Sequence, residues 1–142
     1  MHINLEDAEG ETAYLRKLNS IKNYLTRTNQ QLFINARTDA FLQKLPAPLE
    51  TVLHRAKLYR EAGADGLFVT GTSDTMAIKE ITSTVSLPVN IVGNTNLATV
   101  EALGNMGVKR ISMAVFLYRA AYNNLEQLTQ NIYASKSLSP LL

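Results

Sequence analysis

The feature that limits the possible folds most strongly is a repeated alternation between short apolar runs and longer segments with helical spacing. Five runs are rich in Val, Ile, Leu and Phe, and after each run the apolar residues recur every three or four positions. Glycine-led turns at Gly63 and Gly107 precede two of the runs, which is typical of the return from a helix to a strand. The repeat predicts a parallel sheet with right-handed crossovers and with ligands at the carboxyl ends of its strands.

The spacing also predicts where the elements lie. Strands are expected at 3–5, at 32–35, within 63–71, at 87–92 and at 108–112; helices are expected at 12–26, at 49–62, after caps at Ser73 and Thr95, and at 114–133. The apolar residues of the last helix are expected to belong to the core. The tail 135–142 is expected to fray.

Two α/β architectures accommodate this repeat. One is a five-stranded doubly wound parallel sheet, which a chain of 142 residues can complete alone. The other is a partial (β/α)8 barrel of TIM type with about five βα units, since a whole barrel takes about 200 residues or more. If each strand is aligned by the polar residues at its carboxyl end, period-2 alternation places the polar residues of the different strands on the same face of the sheet. This favours the barrel, because both faces of a doubly wound sheet are covered by helices and are apolar.

Composition excludes several classes of protein. The chain is 46% hydrophobic and 18% charged, as expected of one ordinary globular domain. A net charge of +2 predicts no nucleic-acid partner, and no apolar run approaches the ~18 residues of a membrane span. The absence of cysteine excludes disulfides and thiolate chemistry within these residues. With no signal-peptide pattern at the start, a cytoplasmic protein is expected.

The stretch 33–41 changes from apolar residues to Asn-x-Arg-x-Asp within a few positions. On a strand, Asn35 and Arg37 share one face. An arginine that points into a barrel is costly to desolvate unless it meets an anion, a carboxylate or a ligand. We interpret Arg37 as an anion-binding residue at a strand end, with an ion pair to Asp39 or Glu6 as the structural alternative.

Five motifs in order resemble the isocitrate lyase/phosphoenolpyruvate mutase (phosphonomutase) superfamily. They are INLED at 3–7, NARTDAF at 35–41, EAGADGLFV at 61–69, LPVN at 87–90 and GVKRIS at 107–112. Five motifs in register are more specific than any one alone. The resemblance implies that residues 1–134 are the C-terminal part of a (β/α)8 barrel, strands four to eight.

The resemblance also implies a chemistry. Members of the superfamily make or break C–C or P–C bonds in small α-keto or α-hydroxy acids with Mg²⁺. By that resemblance Glu6 is a metal ligand, Arg37 binds the carboxylate or phosphonate of the substrate, and Thr70 and Asn90 are further substrate contacts. General chemistry agrees, because Mg²⁺ takes carboxylate oxygens and a guanidinium binds a carboxylate through two hydrogen bonds.

Two departures from the superfamily pattern bear on activity. The lyase branches carry a Lys-x-Cys-Gly-His loop after strand four, whereas residues 6–12 here read EDAEGET, which is also too short for the gating loop of the mutases. The half of the barrel that completes the Mg²⁺ site in relatives lies outside this chain. No catalytic residue is assigned for these reasons, and lyase or phosphonomutase activity is expected only where the site is complete.

Other polar residues have structural interpretations. Asp7 is expected to cap the first helix, and Asp39 is expected to support a neighbouring group. Arg110 is expected to pair with a carboxylate at the closed end of the barrel. His2 and His54 have no partner at metal-ligand spacing, and a surface position is expected for His54. Turns are expected at Gly71 and Gly93.

Two rival hypotheses stay open. A half barrel exposes two strand edges, so the chain is predicted to form a homo-oligomer or to be complemented by a missing N-terminal half. One rival is therefore a non-catalytic, oligomerising α/β remnant. The other is a response-regulator-like domain with Glu6 and Asp7 as its acidic pair, although the sequence lacks that fold's aspartate on the third strand and lysine on the last.

Overall fold

The computed structural model describes residues 1–6 and 9–141, and in this part of the chain strands and helices alternate as predicted. The strands are β1 (His2–Glu6), β2 (Phe33–Thr38), β3 (Gly66–Val69), β4 (Val89–Val92) and β5 (Arg110–Ser112). The helices are α1 (Glu11–Arg27), α2 (Pro48–Glu61), α3 (Thr75–Thr84), α4 (Val100–Asn105) and α5 (Phe116–Ser135), followed by a 3-10 turn at Ser139–Leu141.

The five strands form one parallel sheet in the order β1-β2-β3-β4-β5. A doubly wound sheet of flavodoxin type reverses direction and has the order 2-1-3-4-5. Here every crossover instead moves the chain the same way, as in a barrel wall, so the sheet is a half barrel. The barrel interpretation is confirmed, and the doubly wound alternative is wrong. Within the described residues, β1 and β5 each have one free edge.

The core lies between the outer face of the sheet and α1 to α4. The Tyr14 hydroxyl of α1 donates a 2.9 Å hydrogen bond to the Leu5 carbonyl of β1, and the Tyr14 and Tyr59 rings of α1 and α2 lie 4.5 Å apart between centroids. These contacts fix both helices against the sheet. Other fully buried core residues are Leu18, Ile34, Val52, Leu67, Ile78, Ile81, Ile91 and Leu103.

The chain divides into two compact units, Met1–Ser112 and Met113–Leu142. The second unit contains α5, all of whose residues are described and none of which is buried. The prediction that its apolar residues belong to the core is therefore wrong for this chain. Helical spacing predicts that one face will be covered, but it does not identify the covering surface. The exposed apolar residues of α5 include Phe116, Leu117, Tyr118, Tyr122, Leu125 and Tyr133.

The ends of three helices differ from the predicted positions by a few residues. Asp74 caps α3 and Thr99 caps α4, each with a side-chain oxygen that accepts a hydrogen bond from the first turn, whereas the caps were predicted at Ser73 and Thr95. The helix α5 begins at Phe116 and not at 114. Several neighbouring residues here are capable caps, so sequence pattern alone does not choose between them.

Candidate active site at the strand ends

Register places one residue from each strand in a row across the inner face of the half barrel. The row runs Glu6, Arg37, Phe68, Asn90 and Arg110, from β1 to β5. The residues that alternate with them on β2, β3 and β4 are buried in the core on the outer face. The predicted phasing of the strands by their polar ends is confirmed.

Arg37 forms ion pairs with two carboxylates. Its Nε donates to Asp39 Oδ1 at 2.7 Å and its Nη2 donates to Asp39 Oδ2 at 3.0 Å, which is a two-point pair. Nη2 also lies 3.2 Å from Glu6 Oε1. Both pairings expected as the structural alternative are thus present, and they do not exclude anion binding. Nη1 has no partner among the described residues.

Phe68 is a site residue that the sequence interpretation did not include. The Arg37 guanidinium carbon lies 6.0 Å from the centroid of the Phe68 ring. An aromatic face at this distance attracts a cation weakly and helps to hold it in place. The signal was available in the sequence, because the phase of β3 put Phe68 on the same face as Thr70.

Asp39 is buried and holds Arg37 in position. Burial raises the pKa of Asp39, but hydrogen bonds from Arg37 and Thr70 outweigh it, so the pKa lies below its usual range. The hydrogen bond to Asp39 raises the pKa of Arg37. Both groups are therefore charged near neutral pH. The expectation that Asp39 supports a neighbouring group is confirmed. The Thr70 hydroxyl, which was predicted to contact substrate, donates its hydrogen bond to Asp39.

Asn90 is buried, and its side chain has no hydrogen-bond partner among residues 1–6 and 9–141. Only 2% of it is exposed, and neither its Nδ2 nor its Oδ1 meets a partner in the described part of the chain. Asn35 provides a contrast, since its Nδ2 donates to Asn4 Oδ1 at 2.9 Å. Buried amides are nearly always paired, so the Asn90 side chain is open to a group from outside these residues.

The described residues do not form a magnesium site. They contain no cluster of three or more His, Asp or Glu side chains that could hold a metal ion. Glu6 is a single carboxylate with half of its side chain exposed and paired with Arg37, while both oxygens of Asp39 are engaged. Mg²⁺ takes several oxygen ligands, so Glu6 alone does not suffice. Asp7 lies outside the described residues, and its predicted role as a cap stays a prediction.

Gly71 lets the loop after β3 pack on the loop after β2. Its φ is +84°, and a Cβ placed on it would lie 2.4 Å from the Leu42 backbone nitrogen. The turn interpretation of Gly71 is confirmed. The contact with Leu42 could not be predicted, because it joins two loops that are distant in sequence.

The two histidines and Arg110 lie away from the strand-end cluster. His54 is exposed, with its Nε2 3.5 Å from Glu11 Oε2, so its surface position is confirmed. Arg110 Nη1 lies 3.2 Å from His2 Nε2. The prediction of a carboxylate partner for Arg110 is wrong for the described residues, because the sheet curls until the start of β1 faces the start of β5.

Fold and site together define the class of protein: half of a (β/α)8 barrel with a charged cluster at the carboxyl ends of its strands. The family model of phosphoenolpyruvate phosphomutase matches residues 1–133. The chain belongs to this family, within the phosphoenolpyruvate mutase/isocitrate lyase superfamily. The predicted resemblance is confirmed.

Similar proteins include curated sequences and solved structures. An uncharacterized protein of Mycobacterium tuberculosis is 34% identical over 119 residues, which are 83% of this chain and 46% of that protein. The oxaloacetate decarboxylase of Pseudomonas fluorescens is 29% identical over 119 residues, 80% of this chain and 40% of that enzyme. The crystal structure of a Burkholderia cenocepacia protein assigned as a phosphonomutase superposes with a TM-score of 0.83 at 32% identity, covering 92% of this chain and 57% of that one.

The chain spans less than half the length of these two curated relatives. None of the described helices is long and apolar enough to cross a membrane.

Proposed function

We propose that this chain is the anion-orienting half of an enzyme that makes or breaks a C–C or P–C bond in a small α-keto or α-hydroxy acid. The observation that carries the proposal is Arg37, an arginine held by two carboxylates at the strand ends, whose Nη1 has no partner in the described part of the chain. Family membership supports it, as does the similarity to an enzyme that acts on oxaloacetate. The ligand is a carboxylate or phosphonate.

The two carboxylates that contact Arg37 have different roles in this proposal. Asp39 is buried, binds at two points and accepts from Thr70, so it fixes the plane of the guanidinium before any ligand arrives. Glu6 binds at one point from an exposed position. An incoming carboxylate would therefore displace Glu6 and pair with Nη1 and Nη2. In this exchange Arg37 stays paired with Asp39 and with the ligand, and the displaced Glu6 carboxylate, half of whose side chain is exposed, is solvated by water.

Bond cleavage beside a keto group develops negative charge on oxygen, which cations and hydrogen-bond donors stabilise. Arg37 supplies a fixed cation for this purpose, and the unpaired Asn90 Nδ2 is a donor on the same face. Thr70 acts through Asp39 in this scheme. Mg²⁺ belongs to the proposal only for the completed barrel, where Glu6, released from Arg37, would supply one of several ligand oxygens.

Calorimetry with oxalate tests the role of Arg37. Oxalate is a planar dicarboxylate that resembles the enolate of an α-keto acid. The chain alone is expected to bind it weakly, with a dissociation constant of about 1 mM or more, because only part of the site is present. Arg37→Ala is expected to abolish this binding.

Arg60→Ala is the matched control, because Arg60 is an exposed arginine of α2 that donates to Ser86 at 2.6 Å, away from the strand ends. It removes the same charge and is expected to leave the binding of oxalate unchanged. Equal binding by the two variants would remove Arg37 from the site.

A second candidate function is that of a non-catalytic, oligomerising α/β domain. The exposed apolar residues of α5 and the free edges of β1 and β5 favour it. The missing cysteine loop does so as well. If a whole barrel that contains this chain bound no oxalate, that result would favour this candidate over the enzyme. A response-regulator-like domain is excluded by the sequential strand order and by family membership.

A further inference from the structure

The group formed by Glu6, Arg37, Asp39 and Thr70 carries more negative than positive charge before any ligand binds. Two carboxylates, Asp39 and Glu6, lie within 3.2 Å of the nitrogens of its one guanidinium. Although burial raises the pKa of Asp39, hydrogen bonds from Arg37 and Thr70 hold this pKa below its usual range. Carboxylates are ionised at neutral pH, so the group has one negative charge in excess.

The loops next to this group do not supply the missing positive charge. Lys44 in the loop after β2 and Asp74 in the loop after β3 have opposite charges, and Asp74 also caps the positive end of α3. Glu9, after β1, lies 3.9 Å from Lys17 of α1. The loop 93–99, after β4, has no charged residue. In the described part of these four loops, an anionic ligand therefore meets no excess of cations.

The donors that face a ligand suit a carboxylate. Arg37 Nη1 has no partner among the described residues, and Nη2 becomes available when Glu6 leaves. These two nitrogens match the two oxygens of a carboxylate. The other groups nearby carry no charge: the Thr70 hydroxyl already donates to the buried aspartate, Phe68 presents an aromatic ring, and Asn90 Nδ2 is a neutral donor. A second negative charge on the ligand head group would have no cation to meet.

We infer that the strand ends accept a ligand head group with one negative charge, a carboxylate, and discriminate against a dianionic phosphonate. A carboxylate replaces Glu6 at Arg37 charge for charge. A phosphonate dianion brings one negative charge more, while Asp39 and the displaced Glu6 stay nearby. The inference rests on the proposed function and narrows it to chemistry at a C–C bond.

Glu6 is the residue that determines this specificity. It is the register partner of Arg37 on the neighbouring strand, so its charge stays close to the ligand after it has left the guanidinium. Half of its side chain is exposed, and water screens the repulsion. We expect the second charge of a ligand to lower its affinity by about ten-fold under these conditions.

Titrations with ligands that share an acetyl group separate charge from shape. Pyruvate has a planar carboxylate with a single charge. Acetylphosphonate at about pH 8 has a tetrahedral head group with a double charge, since a phosphoryl group loses its second proton at about pH 6. Methyl acetylphosphonate is tetrahedral with a single charge.

The full chain is titrated at constant ionic strength without divalent cations, and affinities are taken from amide chemical shifts. Pyruvate and methyl acetylphosphonate are expected to bind within about three-fold of each other. Acetylphosphonate is expected to bind about ten-fold or more weakly than either, because it carries the second charge.

Glu6→Gln tests the role of the displaced carboxylate. It removes one negative charge with little change of volume, so the affinity for acetylphosphonate should rise by about ten-fold relative to that for pyruvate. Glu61→Gln is the matched control, because Glu61 is the exposed last residue of α2, at the end of that helix away from the carboxyl ends of the strands. It should leave the ratio of the two affinities unchanged.

Three results would overturn the inference. Acetylphosphonate that binds as tightly as pyruvate would show that the strand ends accept a dianion. Equally weak binding of both phosphonates would show that shape and not charge excludes them. An unchanged ratio of affinities in Glu6→Gln would show that Glu6 does not determine specificity. Failure of the proposed function is distinct, because neither oxalate nor pyruvate would then bind, and the inference would fail with it.

Discussion

Arg37 shows how a charged side chain can lie on the inner face of a sheet. Desolvation of the guanidinium is offset by a two-point pair with Asp39, a further pair with Glu6 and the ring of Phe68. Removal of one member leaves its partner unpaired, which costs more than the pair contributes as a whole. The residues of this cluster should therefore affect stability as well as binding.

Asp39→Asn tests this coupling through pH. We expect the variant to lose about 1–3 kcal/mol of unfolding free energy at pH 7, because a partly buried cation loses its main partner. The folded pKa of Asp39 is below its usual range, so its contribution is complete above the unfolded pKa of about 3.9 and is lost as pH falls through the folded value. Urea unfolding at pH 7 and at pH 3 should therefore show that the difference in unfolding free energy between wild type and variant is smaller at pH 3. An equal difference in unfolding free energy at pH 7 and at pH 3 would contradict the role of the Asp39 charge.

Gly71 and Gly104 provide a matched pair of glycines. Gly71→Ala is expected to cost about 2 kcal/mol or more, because φ is positive and the added methyl group meets the Leu42 backbone. Gly104 lies in α4, and a methyl group added there would have nothing within 4 Å, so Gly104→Ala should stabilise by about 0.5–1 kcal/mol. Thermal unfolding of both variants is the measurement. A Gly71→Ala protein as stable as wild type would mean that the two loops do not pack together.

At the scale of single elements, periodicity predicted the order and type of the strands and helices. It placed the end of β2 at Asn35 because polar residues follow, whereas the strand continues to Thr38. Ala36 and Thr38 face the core with no exposed surface, and Arg37 finds carboxylate partners on the other face. A strand can thus extend through polar residues when tertiary contacts satisfy them, which local pattern does not reveal.

Tertiary contacts also explain what else was missed. Thr70 donates to Asp39 across 31 positions of sequence, and the contact between Arg110 and His2 spans 108. Neither follows from spacing along the chain. The sequence offered Asp39 or Glu6 as the ion-pair partner of Arg37, and it did not show that both carboxylates contact the guanidinium at once.

The N-terminal cap of α3 is Asp74 in the structure, whereas the sequence predicted Ser73. Asp74 Oδ1 accepts from the Met76 N–H at 2.9 Å, so Asp74→Ala should cost about 1 kcal/mol. Ser73→Ala, at the position predicted from the sequence, should change stability by less than about 0.5 kcal/mol. Chemical unfolding of the two variants makes the comparison. The reverse order of effects would move the start of the helix to Ser73.

For the molecule as a whole, the strand-end cluster around Arg37 and the free edges of β1 and β5 belong to the same half barrel. The inner face carries an arginine paired with two carboxylates and an asparagine without a partner among the described residues. Glu6 and Arg110 are further polar residues in the register row of this face. We propose that the strand ends around Arg37 are where this chain meets its ligand.

Nuclear magnetic resonance of the arginine side chains reports where a ligand binds. In a titration of the labelled chain with oxalate, we expect shifts of the Arg37 Nε–H signal and of the Glu6 and Thr70 amides, with the Arg60 signal unchanged. The method suits weak binding, since fast exchange reports the affected residues even at a millimolar dissociation constant. Shifts confined to Arg60 and its neighbours between α2 and α3, with none at Arg37, would show that oxalate does not bind at the strand ends.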